Sequence, residues 1–185
     1  MDVALVERAR GGDEEAFASL ARAGGDRLLA IAFRILRDLG PAEDAVQQTL
    51  VLAWRELPGL RDPGRFEAWL HRLLVHTCYD EFRRGRRWSA AVRVLPVDGP
   101  TVPDAASSVA DRDQLERGFR RLPPEQRAIV VFHYYLGLTL PEIADQLGVP
   151  LGTVKSRLHY ATNTLRAALE ADLRPSIDLS RERRA

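Results

Sequence analysis

The sequence predicts an all-α protein: two small helical domains joined by a flexible linker, the second with a helix-turn-helix. Apolar residues recur at helical spacing over most of the chain, whereas the segment 89–111 has no such period. That segment contains three prolines, which lack an amide donor and disfavour helix in the residue before them. We therefore expect an extended linker there. The predicted division is a first domain at 1–88, the linker, a second domain at 112–175 and a loose polar tail at 176–185.

Composition excludes several broad classes of protein. Hydrophobic residues make up 45% of the chain and charged residues 29%, which favours an ordered, soluble protein over a disordered one. The single cysteine, Cys78, excludes an internal disulfide framework. The chain shows neither a signal-peptide pattern nor an apolar stretch of bilayer length. We expect a cytoplasmic protein without membrane insertion.

The first domain is predicted to contain three long helices. Asp13 follows two glycines and can cap the first of them. Gly40-Pro41 ends that helix and starts the second, because proline is tolerated in a first turn. The third ends in an arginine cluster, 83–87, whose charge suits a helix C-terminus. The approximate bounds are 13–38 and 41–57, followed by a turn-rich loop at 58–64 and a third helix from residue 66.

The second domain is predicted to hold four helices, the last two forming a helix-turn-helix. Thr139 and Glu142 have the spacing of a capping box, which opens a short helix. Gly148 is placed to end it as a C-cap, and a tight turn then leads to a longer helix. The approximate bounds are 112–121, 124–135, 140–147 and 151–172.

The last helix carries the functional signal. Val154, Leu158, Ala161 and Leu165 form its buried face, which leaves a polar face with basic flanks. A helix fits the major groove of DNA, where side chains near its N-terminus can reach base edges. The predicted DNA-binding residues are Thr153, Lys155, Ser156, Arg157, His159 and Tyr160. The alternative is an ordinary helical hairpin with a solvated polar face.

No catalytic, cofactor or metal site is expected. His71, His76 and Cys78 lie close in sequence, but residues five apart point in different directions on a helix, and no further ligand is evident. The chain shows no glycine-rich phosphate loop and no nucleophile elbow. Trp54 and Trp69 fit core positions. We predict that the protein is not an enzyme and takes no small-molecule substrate.

Four segments resemble one family. Residues 138–158 resemble the promoter-binding helix-turn-helix of bacterial sigma factors, in particular the extracytoplasmic-function (ECF) group, and residues 121–127 resemble the entry to that domain. In the first domain, 42–49 resembles the family's polymerase-binding helix and 66–77 its downstream promoter-element reader. The resemblance covers both domains in order, with a variable linker where the family has one.

The resemblance implies a protein that binds core RNA polymerase and directs it to promoter DNA, with an anti-sigma factor as a further partner. The first domain would read the minus-10 element and help melt it, and the second would dock on the minus-35 element. The polymerase contacts would be Glu43, Asp44, Gln47 and Gln48. The minus-10 contacts would be Arg61, Phe66, Arg72, His76, Arg83 and Arg84, with the arginines at 72, 83 and 84 holding phosphates.

The chain departs from many relatives at two places. His76 stands where many of them have asparagine, and His159-Tyr160-Ala161-Thr162-Asn163 lacks the basic residues common there. Both departures concern base preference, not the mode of docking. Two other classes stay open on the residues alone: a helix-turn-helix regulator that binds an operator without polymerase, and an adaptor or antagonist of polymerase that leaves its DNA surface unused.

Overall fold

The computed structural model describes residues 2–91 and 108–182, and every regular element within these ranges is helical. No helix in the described ranges is both long enough and apolar enough to cross a membrane. Eight α-helices are described: α1 (Val3–Arg10), α2 (Glu14–Leu36), α3 (Leu39–Glu56), α4 (Phe66–Ala91), α5 (Ser108–Arg121), α6 (Pro124–Val130), α7 (Leu140–Leu147) and α8 (Leu151–Glu182).

Aspartates begin the first three helices. Asp13 accepts a hydrogen bond from the amide of Ala16 and so caps α2, as the sequence predicts. Asp2 caps α1, a short helix that the sequence analysis missed because eight residues carry little periodicity. Asp38, and not Gly40-Pro41, begins α3, since α2 already ends at Arg37, a left-handed residue with φ of 63°.

The helices extend beyond two predicted boundaries. The linker was expected over 89–111, but α4 continues to Ala91 and α5 already begins at Ser108. The middle of the predicted linker, 92–107, lies outside the described residues. The tail was expected to be loose after Pro175, but α8 continues to Glu182. Proline's fixed φ is compatible with a helix, although a proline inside a helix removes one hydrogen bond and its ring crowds the carbonyl four residues earlier.

Short 3₁₀ and π-helical turns connect some of the helices. The loop after α3 contains two 3₁₀ turns, Leu57–Gly59 and Pro63–Arg65. The predicted helix at 124–135 is α6 followed by a π-helical turn, Val131–Tyr135. Such turns insert an extra residue into a helix. Here the turn is followed by Gly137, whose positive φ of 72° leads the chain into α7.

One apolar core runs through both domains. Helices α2, α3 and α4 enclose Ile31, Ile35 and Leu74, all fully buried. The same core continues into the second domain through Phe132 and Ile143. Three helix pairs pack across the domain boundary: α2 and α4 of the first domain each contact α6 of the second, and α4 also contacts α7. In this structure the two domains are therefore packed against each other rather than separated.

Candidate nucleic-acid interface

The start of α7 is fixed by the predicted capping box. The hydroxyl of Thr139 accepts from the amide of Glu142 at 3.4 Å, and the Glu142 carboxylate accepts from the Thr139 amide at 2.7 Å. The hydrogen bonds from Thr139 lower the pKa of Glu142. Gly148 ends the helix with a φ of 66°, as predicted for the C-cap. Both ends of α7 are thus fixed by residues predicted from the sequence, the capping box at its start and the glycine at its end.

The second helix of the motif is held by its apolar face. Val154 and Ala161 are fully buried, and Leu158 and Leu165 are half-buried. On α7, Ile143 and Leu147 are buried against the same core. This packing leaves the opposite face of α8 in solvent, starting at its N-terminal turn, which is the part of a recognition helix that reaches base edges.

Most of the predicted minus-35 residues are exposed on that face. Tyr160 is 62% exposed and stands edge-on to the ring of His159. His159 is held by Asn163, whose Nδ2 lies 2.9 Å from the His159 Nε2. The Ser156 hydroxyl donates to the carbonyl of Thr153 at 3.1 Å. The exposed members of the set are Lys155, Ser156, His159 and Tyr160, and Thr153 is half-buried at the flank.

Lys155 and Arg157 have different surroundings. Lys155 is exposed in the first turns of α8, whereas Arg157 is half-buried at the edge that faces α4. Burial raises the pKa of Tyr79 on α4, and the nearby charge of Arg157 acts in the opposite direction. Arg157 therefore lies nearer the packed side of the motif than Lys155 does.

Helix α4 presents arginine and histidine side chains along one exposed face. Arg72 and His76 are one turn apart, and Arg83 follows two turns later. Arg83 and Arg84 are each paired within the helix, with Asp80 at 2.8 Å and with Glu81 at 2.6 Å. The Arg83–Asp80 pair is exposed on both sides, so it is weak in water and can exchange for a phosphate, whereas the side chain of Glu81 is only 9% exposed.

One of the two loop residues predicted to contact the minus-10 element is exposed, and the other is buried. Arg61 is exposed, but Phe66 is only 2% exposed and its ring packs on Trp69 at 5.8 Å between centroids. Phe66 is a core residue at the start of α4, so its side chain is not accessible to DNA in this structure, and its contact with DNA stays a prediction. A large apolar residue at the first position of an amphipathic helix is typical of core packing.

The predicted polymerase face of α3 is fully in solvent. Glu43, Asp44, Gln47 and Gln48 are all exposed, while Ala42, Ala45 and Thr49 are buried on the other side of the helix. Val51 continues the exposed row and is 54% exposed, which sequence reasoning missed. The available sequence signal was its spacing, since Val51 lies one turn beyond Gln47 and Gln48 on the same side of the helix.

The histidine and cysteine that raised the question of a metal are core residues. Burial lowers the pKa of His71 to about 4, so its imidazole is neutral at physiological pH, and its ring lies 6.1 Å from that of Phe132. Burial likewise raises the pKa of the Cys78 thiol to about 12. Trp54 also packs inward, 5.1 Å from the ring of Phe17, as predicted for a core tryptophan. Neither His71 nor Cys78 has the exposure that a ligand-exchanging site needs.

The fold and these surfaces define a helical DNA-binding protein of two domains, with a helix-turn-helix in the second. Two family models match it: Sigma-70 region 2 over residues 20–88, and Sigma-70 region 4 over residues 112–165. The chain belongs to the ECF group of RNA polymerase sigma factors, a family of transcription initiation factors, which confirms the resemblance seen in the sequence.

Named relatives cover nearly the whole chain. The chain is 36% identical over 167 residues to the ECF RNA polymerase sigma factor SigL of Mycobacterium tuberculosis, covering 86% of this chain and 94% of SigL. It is 26% identical over 176 residues to SigW of Bacillus subtilis, covering 89% and 94%. Among solved structures, CnrH in complex with the cytosolic domain of CnrY matches with a TM-score of 0.64 and 29% identity, covering 92% of this chain and 98% of CnrH.

Proposed function

We propose that this sigma factor binds core RNA polymerase through the exposed face of α3 and positions two promoter readers, one on α4 and one on α8. The observation that carries the proposal is the order of three separate polar surfaces on the two matched sigma domains, each backed by buried apolar residues. The proposed site of action is the cytoplasm, where the polymerase is. No catalytic role is proposed, because the nucleotide transfer belongs to the polymerase.

An operator-binding regulator is not favoured. Sigma-70 regions 2 and 4 are both matched, in order, over residues 20–88 and 112–165, and this pairing supports a polymerase subunit instead. The family resemblance also implies an anti-sigma factor, a protein that binds the sigma factor when it is free of polymerase. Sigma factor RpoE of Bartonella quintana was solved with the anti-sigma factor NepR, and we propose the same class of partner here.

The α3 face suits a basic partner surface. Glu43 and Asp44 supply negative charge at the start of the row, and Gln47 and Gln48 supply amide donors and acceptors one turn later. Val51 adds an apolar contact of the kind that interface centres use. Since the buried side of α3 is separate from this row, substitutions here change the surface and leave the core intact.

Charge reversal at this face is expected to weaken polymerase binding. The double variant Asp44→Arg with Gln48→Ala removes a favourable charge and adds repulsion, so we expect at least a roughly tenfold higher Kd for core polymerase. The measurement is co-elution and fluorescence titration with purified core enzyme, with circular dichroism as a check on the fold. The matched control is Glu7→Arg, an exposed acidic residue on α1. Unchanged co-elution of the double variant would remove this face from the proposal.

The exposed face of α4 divides into a base reader and phosphate clamps. Melting needs a base drawn out of the stack and held by new contacts. His76 has the imidazole that can hydrogen-bond a base, and it is exposed between Arg72 and the cations further along the helix. Arg83 has a guanidinium group held by a weak surface pair, so it is available for a phosphate. The side chain of Arg84 is also exposed, although its partner Glu81 is nearly buried.

Two substitutions separate these roles. We expect His76→Ala to change which minus-10 bases are preferred, because it removes a group that touches a base. Arg83→Ala is expected to weaken strand opening on all promoters alike, since phosphate contacts carry no sequence information. The measurement is permanganate footprinting of open complexes over a minus-10 library, with Arg22→Ala, an exposed arginine on α2, as the control. Equal losses from both variants on every sequence would show that the division into reader and clamp is wrong.

A further inference from the structure

A buried pair of hydroxyl groups joins α3 to α4. Thr49 on α3 and Thr77 on α4 are 0% and 3% exposed, and their Oγ1 atoms lie 2.7 Å apart. Among the described residues this is the only side-chain hydrogen bond between these two helices. Buried hydroxyls are nearly always hydrogen-bonded, because an unpaired one has lost its bonds to water. The pair is therefore a fixed contact between the two helices to which we assign polymerase binding and base reading.

The direction of this hydrogen bond follows from the number of protons. Thr49 Oγ1 lies 2.6 Å from the carbonyl oxygen of Ala45, one turn earlier on α3, and Thr77 Oγ1 lies 2.9 Å from that of Leu74 on α4. Each hydroxyl has one proton, so two protons serve these contacts and the one between the helices. Thr49 donates to Ala45 over the shortest distance and so accepts from Thr77, whose proton also lies within reach of Leu74. A chain of hydrogen bonds thus runs from α4 into the backbone of α3.

The rest of the buried face of α3 consists of small apolar residues. Ala42, Ala45 and Ala53 are fully buried against the helices that α3 packs on, α2 and α4. Contacts between methyl groups are non-directional, so a small displacement along such a face changes their energy little. A hydroxyl pair keeps its hydrogen bond only within a narrow range of distance and angle. The two threonines therefore fix how far α4 lies along α3.

The exposed residues beside this pair are those with proposed functions. Thr49 directly follows Gln48 of the polymerase face, and Thr77 directly follows His76, the proposed base reader. Adjacent residues on an α-helix point about 100° apart, so a side chain held in the core sets the direction of its exposed neighbour. A side chain in a functional site has to be held within about 0.5 Å of its working position. Once polymerase holds α3, the register of α4 on α3 decides where His76 stands.

We propose that Thr49 and Thr77 are positioning residues for promoter reading: their hydrogen bond places the imidazole of His76 relative to the polymerase that α3 binds. This inference rests on the proposed function. Neither threonine is accessible to DNA or polymerase in this structure, since both are buried. Their effect is therefore on base preference in the holoenzyme and not on the affinity for polymerase.

Valine at either position removes the hydrogen bond and keeps the branched shape of threonine. In Thr77→Val the hydroxyl of Thr49 keeps Ala45 as its acceptor, and in Thr49→Val the hydroxyl of Thr77 keeps Leu74. No hydroxyl is left without a partner, so both variants should fold. Discrimination at the minus-10 base that His76 reads should fall by roughly threefold to tenfold. The Kd for core polymerase should change by less than about twofold, because the α3 face is untouched.

The measurement is permanganate footprinting of open complexes formed by the reconstituted holoenzyme over a minus-10 library, with fluorescence titration for the Kd. The matched control is Thr164→Val on α8, whose hydroxyl donates to the carbonyl of Tyr160 on the same helix at 2.9 Å. It should leave minus-10 preference unchanged. Thr77→Ser keeps the hydroxyl and should retain the base preference of the wild type.

Two combined variants test whether the effect passes through this bond and through His76. The double variant Thr49→Val with Thr77→Val should lose no more discrimination than either single variant, because each removes the same hydrogen bond. In a His76→Ala background, Thr77→Val should not change base preference further, since the side chain to be positioned is absent. A merely structural role would lower stability in both backgrounds and leave base preference unchanged.

Each outcome decides the inference. Wild-type base discrimination in valine variants that fold and bind polymerase overturns it. Additive losses from the two valines overturn it, and so does a Thr77→Val effect that persists without His76. If both valine variants fail to fold, the pair is needed for stability and the positioning role is wrong. If the wild type itself forms no open complex with core polymerase, the proposed function fails, whereas the other outcomes reject this inference alone.

Discussion

Replacing Arg127 with methionine is expected to lower the free energy of unfolding by about 3 kcal/mol. Methionine fills a similar volume but donates no hydrogen bond, so four backbone carbonyls lose their donor at once. Buried polar groups without a partner cost about 1–3 kcal/mol each. Water entering between the domains offsets part of that loss, which keeps the expected effect below the simple sum.

The measurement is urea unfolding followed by circular dichroism, comparing the midpoint and slope with those of the wild type. The matched control is Arg121→Met, which removes an exposed arginine only six positions away along the chain. It should change stability by less than about 0.5 kcal/mol. Equal stability of the two variants would mean that these four hydrogen bonds of Arg127 do not stabilise the fold.

The second large effect is expected at the recognition helix. Lys155→Ala should lose roughly 1–3 kcal/mol of discrimination at one minus-35 base pair, because an exposed lysine early in the helix can reach guanine O6 and N7. Arg157→Ala should instead weaken binding to all sequences and reduce the slope of salt dependence by about one unit, as a phosphate contact does. The positions of the two side chains, one exposed and one half-buried at the packed edge, underlie this division.

Both variants are measured in the polymerase holoenzyme over a minus-35 library at two salt concentrations. The control is Arg166→Ala, which removes an exposed cation further along α8. A change of base preference in the Arg157 variant with none in the Lys155 variant would exchange the two roles. Wild-type behaviour of both would show that this face does not touch DNA.

Local signals explain why so much of the second domain could be predicted. The capping box at Thr139 and Glu142 and the glycine at position 148 act through neighbouring residues, so their geometry is encoded within a few positions. The same holds for the cap at Asp13. The polar faces of α3 and α8 could be predicted because helical period alone decides which side chains share a side.

Contacts between distant parts of the chain could not be predicted in this way. Arg127 bonds to residues more than 90 positions earlier, and nothing in its local sequence distinguishes it from a surface arginine. Phe66 was assigned to DNA from resemblance, whereas its burial depends on how α4 packs on Trp69 and the core. Val51 was missed because an apolar residue in an amphipathic helix is usually a core residue, and helical period does not report which side chains other elements cover.

Transcription in vitro with purified core polymerase shows whether this protein directs promoter-specific initiation. Core enzyme alone, and core enzyme with this protein, are given a library of genomic fragments, and the run-off transcripts are sequenced to locate their start sites. We expect start sites that appear only when both components are present, each preceded by shared minus-10 and minus-35 elements. Binding to specific DNA by the protein alone, with no core-dependent start sites, would show that the protein is not acting as a sigma factor.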